Sequence, residues 1–291
     1  MDKVHFPVLH REVLDALKIK KDGVYVDATL GPGGHSELIL RKLDSRGKII
    51  GIDKDIKAIE FAAKRFSDSR VILRRGSFKD MGNILLEEGI SEVDGILFDL
   101  GISMIQMKDA ERGFSFSSDK RLDMRMDITQ ALSAWDIVNN YSEKELNRIL
   151  REYGEERNSR KIARLIVKNR ERSPINTCSE LSKIVESVYR KRGKIHPATR
   201  TFQALRIEVN KELENLNAGL HASENLLKES GRLCVISYHS LEDRIVKQFI
   251  ANKVREGVFR KITRKPMTAS LEEIKINPAS RSAKLRVAEK I

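Results

Sequence analysis

Cysteine is scarce, long apolar runs are missing and the histidines are scattered, and each shortage removes a class of function. Cys178 and Cys234 stand far apart and in no Cys-x-x-Cys spacing, so neither a disulfide framework nor a zinc site is indicated. No segment approaches the roughly 18 apolar residues of a transmembrane helix, and residues 1 to 15 lack the unbroken apolar stretch of a signal peptide. The six histidines show no metal-ligand spacing, so no metal is expected. Internal repeats and low-complexity tracts are absent as well. The expectation is a reduced, cytoplasmic protein with no membrane partner.

Positive charge is what the chain has in excess. Its 291 residues suffice for one large or two ordinary domains, since domains commonly span roughly 100 to 200 residues. A formal net charge of +13 and an isoelectric point near 9.7 exceed what solubility needs and suggest a polyanionic partner, of which nucleic acid is the commonest. The charge is concentrated. Residues 148 to 206 carry 16 Lys or Arg against 6 Glu and no Asp, a net of +10 that leaves +3 for the other 232 residues. Within this segment Arg157, Arg160, Lys161, Arg164 and Lys168 share one helical face, and Ile162, Leu165 and Ile166 occupy the opposing side. A charged face is often only a solvated one, but the neighbouring run Arg190-Lys-Arg-Gly-Lys194 favours phosphate contacts here.

Hydrophobic periodicity supplies the order of elements. A short apolar strand beginning at Val24 runs into the glycine turn 31–34 and a helix over 37–43, and the stretch 47–53 reads as a second buried strand ending in Asp53. Ala58, Phe61, Ala62 and Phe66 keep helical spacing before a strand at 71–74, and a fourth strand spans 93–99. Such alternation implies a doubly wound, mostly parallel sheet with helices on both faces. The pattern then stops for about a hundred residues, where 141–167 and 179–189 show helical periodicity. A long helix over 201–228 leads into a fifth strand at 231–238. The reading is an α/β domain formed by 1–106 and 207–291, interrupted by a basic all-helical insertion at 107–206.

In a doubly wound sheet ligands bind beyond the carboxyl ends of the strands. The turn Gly31-Pro-Gly-Gly-His35 offers backbone conformations open mainly to glycine, and Asp53 is placed to accept hydrogen bonds from ribose hydroxyls. Those features suit NAD or S-adenosylmethionine equally. The turn lacks the full Gly-x-Gly-x-x-Gly spacing, and a second acid, Asp99, ends strand four; both lean towards S-adenosylmethionine. Asp99 could hold the amino group of that cofactor or accept a hydrogen bond from a substrate amine. Phe78 is either an adenine contact or an ordinary core aromatic.

Four further segments read as too polar for mere packing: Glu111-Arg-Gly-Phe-Ser-Phe116, Leu122-Asp-Met-Arg-Met-Asp127, His196-Pro-Ala-Thr-Arg-Thr-Phe-Gln203 and Ser237-Tyr-His-Ser-Leu-Glu-Asp-Arg244. In the last, Ser240 and Asp243 read as a capping pair that opens a helix, and His239 lies at the catalytic edge of the sheet. No general base is legible.

These segments, taken in order with His5-Phe-Pro-Val-Leu9, Asp94-Gly-Ile-Leu-Phe-Asp-Leu-Gly101 and Tyr153-Gly-Glu-Glu156, make the chain resemble the bacterial ribosomal RNA small-subunit methyltransferase H (MraW) family over nearly its whole length. The resemblance implies a class I, Rossmann-like methyltransferase fold that uses S-adenosyl-L-methionine to methylate the N4 amine of a cytidine in the decoding region of 16S ribosomal RNA. It also implies an inserted helical domain for substrate recognition. Its cofactor contacts fall on Gly33, Gly34, His35, Asp53, Phe78, Asp99 and Gln106. The chain departs from the family pattern at Met104-Ile105 and Ala279-Ser280. The expected partner is 16S RNA within the small ribosomal subunit, with a homodimer possible. An NAD-dependent oxidoreductase and a non-catalytic RNA-binding assembly factor on the same fold are the alternatives.

Overall fold

A computed structural model describes residues 7–190 and 195–291. The chain divides into two compact units, Met1–Gly101 with Leu213–Ile291, and Ile102–Glu212. The sequence reading sets the breaks at 106/107 and 206/207, five and six residues from these.

The first unit is built on one sheet. Its strands are β1 (Val24–Asp27), β2 (Lys48–Asp53), β3 (Val71–Arg75), β4 (Val93–Asp99), β5 (Leu227–Ser237), β6 (Phe259–Lys261), β7 (Met267–Thr268) and β8 (Lys284–Lys290). Their order is β3-β2-β1-β4-β5-β8-β6, with β7 also paired to β8. The first five are parallel; β8 runs antiparallel to β5, β6 and β7. The antiparallel edge was not legible in the sequence, because its strands are short or carry charged residues.

The central strands are apolar at nearly every position because both faces are covered. Period-two alternation sends Ile50, Ile96 and Phe98 to one face, against Leu216, Leu220, Val246 and Phe249. Ile49, Leu97 and Ile236 go to the other, with Val13, Leu17 and Ile39. Cys234 is buried in this second layer, where desolvation pushes its thiol up to about 12, so it acts as a small apolar residue. Strand order reverses between β1 and β4, which makes the carboxyl ends of those two strands the crevice of the sheet.

The second unit is helical. Ala134–Asn140, Glu143–Glu152, Ser159–Arg170, Cys178–Glu186 and Thr199–Asn210 surround a core that includes Ile137, Leu146, Ile149, Ile162, Ile166, Leu181 and Leu205. Three of these helices open on capping boxes, Ser133 with Asp136, Ser142 with Glu145 and Thr177 with Glu180. The single helix expected over 201–228 is two helices. Lys211 adopts φ 50°, ψ 42° between Thr199–Asn210 and Glu212–Leu226. The ion pair of Arg206 with Glu212, at 2.9 and 2.8 Å, spans that break. The following strand accordingly begins at Leu227 rather than 231. Likewise 141–167 holds two helices separated by residues 153–158. Among the described residues no helix is long and apolar enough to cross a membrane.

Candidate functional site

Three carboxylates converge on the strand ends of the first unit. Asp27 closes β1 and is fully buried; its oxygens accept the Ser36 hydroxyl at 2.7 Å and the Thr29 N–H at 3.3 Å. Burial raises its pKa, with the charge interaction with His35 and the Ser36 hydrogen bond pulling the other way. Asp53 closes β2, where its two oxygens accept the backbone N–H groups of Gly31 and Asp55, each at 2.9 Å. Desolvation outweighs those bonds and carries Asp53 up to about 6. Asp99 closes β4. Its N–H donates to Thr29 Oγ1 at 2.5 Å, its Oδ1 accepts the Tyr238 hydroxyl at 2.7 Å, and His35 Nε2 lies 3.5 Å from its Oδ2. Tyr238 follows β5, and burial, reinforced by Asp99, holds its phenol well above the ordinary range, so it remains a donor.

The glycine turn is shaped by its neighbours. Gly33 sits at φ 78°, and a Cβ there would stand 2.5 Å from the Phe66 ring. Only glycine satisfies both conditions. A Cβ on Gly34 would meet Pro7 at 3.3 Å. The structure thus brings Gly33, Gly34, His35, Asp53 and Asp99 to one end of the sheet. Phe78 begins the short 3-10 helix after β3, and its ring packs edge-on against Phe98 with centroids 5.4 Å apart. Gln106 belongs to the helical unit, where it is buried and forms a capping box with Ser103. That box uses only the first and last residues of Ser103-Met-Ile-Gln106, so the Met104-Ile105 departure leaves it intact. Sequence reasoning gave no role to Thr29 or to the Tyr238 hydroxyl. The only signal for either was position at a strand end.

Within the helical unit, Arg157, Arg160, Lys161, Arg164 and Lys168 are all exposed, while Ile162 and Ile166 are fully buried behind them and Leu165 is partly so. Arg157 precedes the helix Ser159–Arg170. Of the five, only Arg164 has an ion-pair partner among the described residues, Glu143 at 3.9 Å. Other cations of the segment serve the fold: Arg170 donates to the carbonyls of Val138 and Tyr141 at 2.7 and 2.6 Å. Of the run 190–194, residues 191–194 lie outside the described residues, as do His5 and Phe6 of the N-terminal motif.

Residues of two motifs singled out in the sequence also brace the fold. Arg112 is buried and donates to the carbonyls of Arg125 and Met126 at 2.7 and 2.9 Å. Asn210 holds the same loop through Met124 O and Met126 N. Phe114 belongs to the core. Phe116 stacks on His196 with centroids 4.1 Å apart. The helix Ser240–Arg255 is capped by His239 with Glu242, not by Ser240 with Asp243. Asp243 pairs instead with Arg286 at 2.7 Å.

The donor set suits one kind of cofactor. Acid at the end of β2 suits ribose hydroxyls, and the carboxylates of Asp27 and Asp99 favour a cationic group while repelling a dinucleotide pyrophosphate. Sheet order and strand-end chemistry together define a class I methyltransferase, a class whose methyl donor is S-adenosyl-L-methionine. The model of the MraW methylase family matches residues 2–291, and the chain belongs to that family. It is 50% identical over 304 residues to ribosomal RNA small subunit methyltransferase H of Caldicellulosiruptor saccharolyticus, covering 99% of each chain. The protein of the same name from Sulfurihydrogenibium sp. is 51% identical over 293 residues, again across 99% of each. A solved Clostridium thermocellum structure, provisionally assigned as an rRNA methylase, shares the fold at a TM-score of 0.50 and 16% identity, over 99% of this chain and 100% of that one. Membership in a methylase family sets the oxidoreductase alternative aside.

Proposed function

We propose that this protein transfers a methyl group from S-adenosyl-L-methionine to the N4 amine of a cytidine in the decoding region of 16S ribosomal RNA, acting in the cytoplasm on the small subunit. The names of its half-identical relatives support ribosomal RNA as the substrate. The observation that carries the amine is Asp99, a carboxylate at the sheet crevice with one oxygen tied to Tyr238 and the other turned away from that bond.

When bound, the cofactor supplies an electrophilic methyl on a positively charged sulfur. Asp53 would accept the ribose hydroxyls, and the turn at Gly33, Gly34 and His35 would hold the methionine end. Phe78 completes the proposed contacts on the first unit. The cytosine amine is conjugated with its ring and is a poor nucleophile, so orientation carries much of the catalysis. Asp99 Oδ2 accepts an N–H of that amine and directs the nitrogen lone pair, at a position fixed by Tyr238 and Thr29. The base must leave its stack to arrive there, and the cations of the helical unit hold the flanking phosphates.

Radiolabelled S-adenosylmethionine and small subunits from cells lacking the modification test the reading. Label is expected on cytidine N4 with the wild-type protein and is expected to fall about a hundredfold or more with Asp99→Ala. Label on another atom, or an undiminished rate in that variant, would show the site to be misplaced.

A further inference from the structure

His35, in the first turn of the helix Gly34–Leu40 that follows the glycine turn, carries a buried imidazole. The His35 side chain is 6% exposed and that of Asp99 is 24% exposed, so the carboxylate reaches solvent while the ring behind it does not. His35 Nε2 is buried and has no hydrogen-bond partner among the described residues. It lies 3.5 Å from Asp99 Oδ2, close enough to accept a proton from that oxygen once the carboxyl group has taken one up. The other Asp99 oxygen is already occupied by Tyr238. Asp27, buried and held by Ser36, supplies a second carboxylate whose charge is coupled to the same ring. An unpaired polar atom in the interior is costly, a cost that a fold has reason to carry when the atom acquires its partner during function.

We propose that His35 Nε2 is the proton acceptor behind Asp99, taking up the proton that the substrate amine must lose on methylation. The inference rests on the amine-methylation reading above and deepens it. The step balances as follows. The N4 lone pair forms the new N–C bond, the C–S bonding pair passes to sulfur, and the sulfonium becomes a neutral thioether. The nitrogen then carries one proton too many. That proton moves to Asp99 Oδ2 and on to His35 Nε2, leaving a neutral secondary amine and an imidazolium between two carboxylates. Release to water restores the neutral ring.

The charges around His35 favour this outcome. The charges of Asp27, at the end of β1, and of Asp99, at the end of β4, act on the ring, and Glu242 accepts the Tyr238 N–H at 2.8 Å. Tyr238 is a donor to Asp99 and does not compete for the proton. His35 acts through Asp99, so it is a positioning and relay residue rather than one that touches the amine.

Full-length wild-type, His35→Gln and Asp99→Asn proteins are compared in single-turnover methylation of small subunits across the acid and neutral range, with S-adenosylhomocysteine affinity followed by calorimetry. In His35→Gln the chemical step is expected to slow about a hundredfold at saturating S-adenosylmethionine, where any change in cofactor affinity at this turn residue is separated from the rate. The wild-type rate is expected to fall towards low pH, and in His35→Gln that fall is expected to vanish. A wild-type rate, or an unchanged low-pH loss, overturns the proposal. Should His35→Gln fail to bind the ligand, nuclear magnetic resonance of the wild-type protein with nitrogen-labelled histidine decides. The His35 ring must gain its proton over the pH range in which the rate falls, and in Asp99→Asn that transition must move to lower pH. A ring indifferent to Asp99 overturns the proposal. If wild-type protein places no methyl on cytidine N4, the amine reading fails by itself; the resonance measurement still reads the Asp99 to His35 coupling separately.

Discussion

The strand ends of the sheet and the exposed helix of the insertion place charge under opposite conditions. At the strand ends Asp27, Asp53 and Asp99 are each tied by specific donors from named atoms, and burial raises the pKa of the first two. On the helix Ser159–Arg170, Arg160, Lys161, Arg164 and Lys168 project into solvent, and only Arg164 has an ion-pair partner among the described residues. Low-dielectric surroundings make the first set sensitive to a single proton or a single misplaced ångström. High dielectric makes the second set additive, screened by salt and tolerant of individual loss. The difference matches the tasks proposed for them, chemistry on one atom and purchase on a repeating backbone.

The sharpest test of that contrast is Asp53. Its carboxylate titrates near 6, and accepting ribose hydroxyls requires the ionised form. Cofactor affinity should therefore hold steady above that value and weaken as pH falls through it. In Asp53→Asn the affinity should drop about 10- to 100-fold at neutral pH, the range expected for a charged hydrogen bond, and lose its pH dependence. Calorimetry at a series of pH values checks both. A flat wild-type curve would separate Asp53 from the cofactor.

On the basic face the expectation is graded. Replacing Arg160, Lys161 and Arg164 together with glutamine should weaken RNA binding several-fold at moderate salt and reduce the slope of log affinity against log salt by roughly 2 to 3. Cofactor affinity should not move. Filter binding over a salt series provides the measurement, and an unaltered slope would assign the face to solvent.

The smallest effect is expected at the opposite end of β4. Asp94 accepts from Lys20 at 2.8 Å, Lys228 at 2.9 Å and Val24 N–H at 3.0 Å. Burial opposes its ionisation, but these donors prevail and lower its pKa. A depressed carboxylate contributes stability above its unfolded pKa and loses it as pH falls through the folded value. Asp94→Asn should thus cost about 1 kcal/mol near neutral pH, and denaturant unfolding should show the difference closing below the ordinary carboxylate range. A gap that persisted in acid would mean that packing, not charge, explains it.

Much of the α/β unit was legible because buried parallel strands write themselves as apolar runs. Asp53 and Asp99 were legible because each ends such a run. The helix break at Lys211 was not, since a lysine in a left-handed conformation carries no glycine signal and the apolar spacing continues past it. The motifs around Arg112 and Asp123 misled for a related reason. A buried arginine that braces loop carbonyls leaves the same polar signature in sequence as one that binds a substrate.

By itself the sequence determined the alternation of strand and helix, the glycine turn, the acids at strand ends and the concentration of positive charge, because each depends on local residue order. Only the tertiary structure decided which of those groups share an environment. It set His35 behind Asp99, gave Tyr238 to one carboxylate oxygen, and separated cations that brace the fold from those left in solvent. Hydrogen bonding and desolvation act over a few ångströms in space, and residues as distant in the chain as 35, 99 and 238 meet at that range only once the sheet has formed.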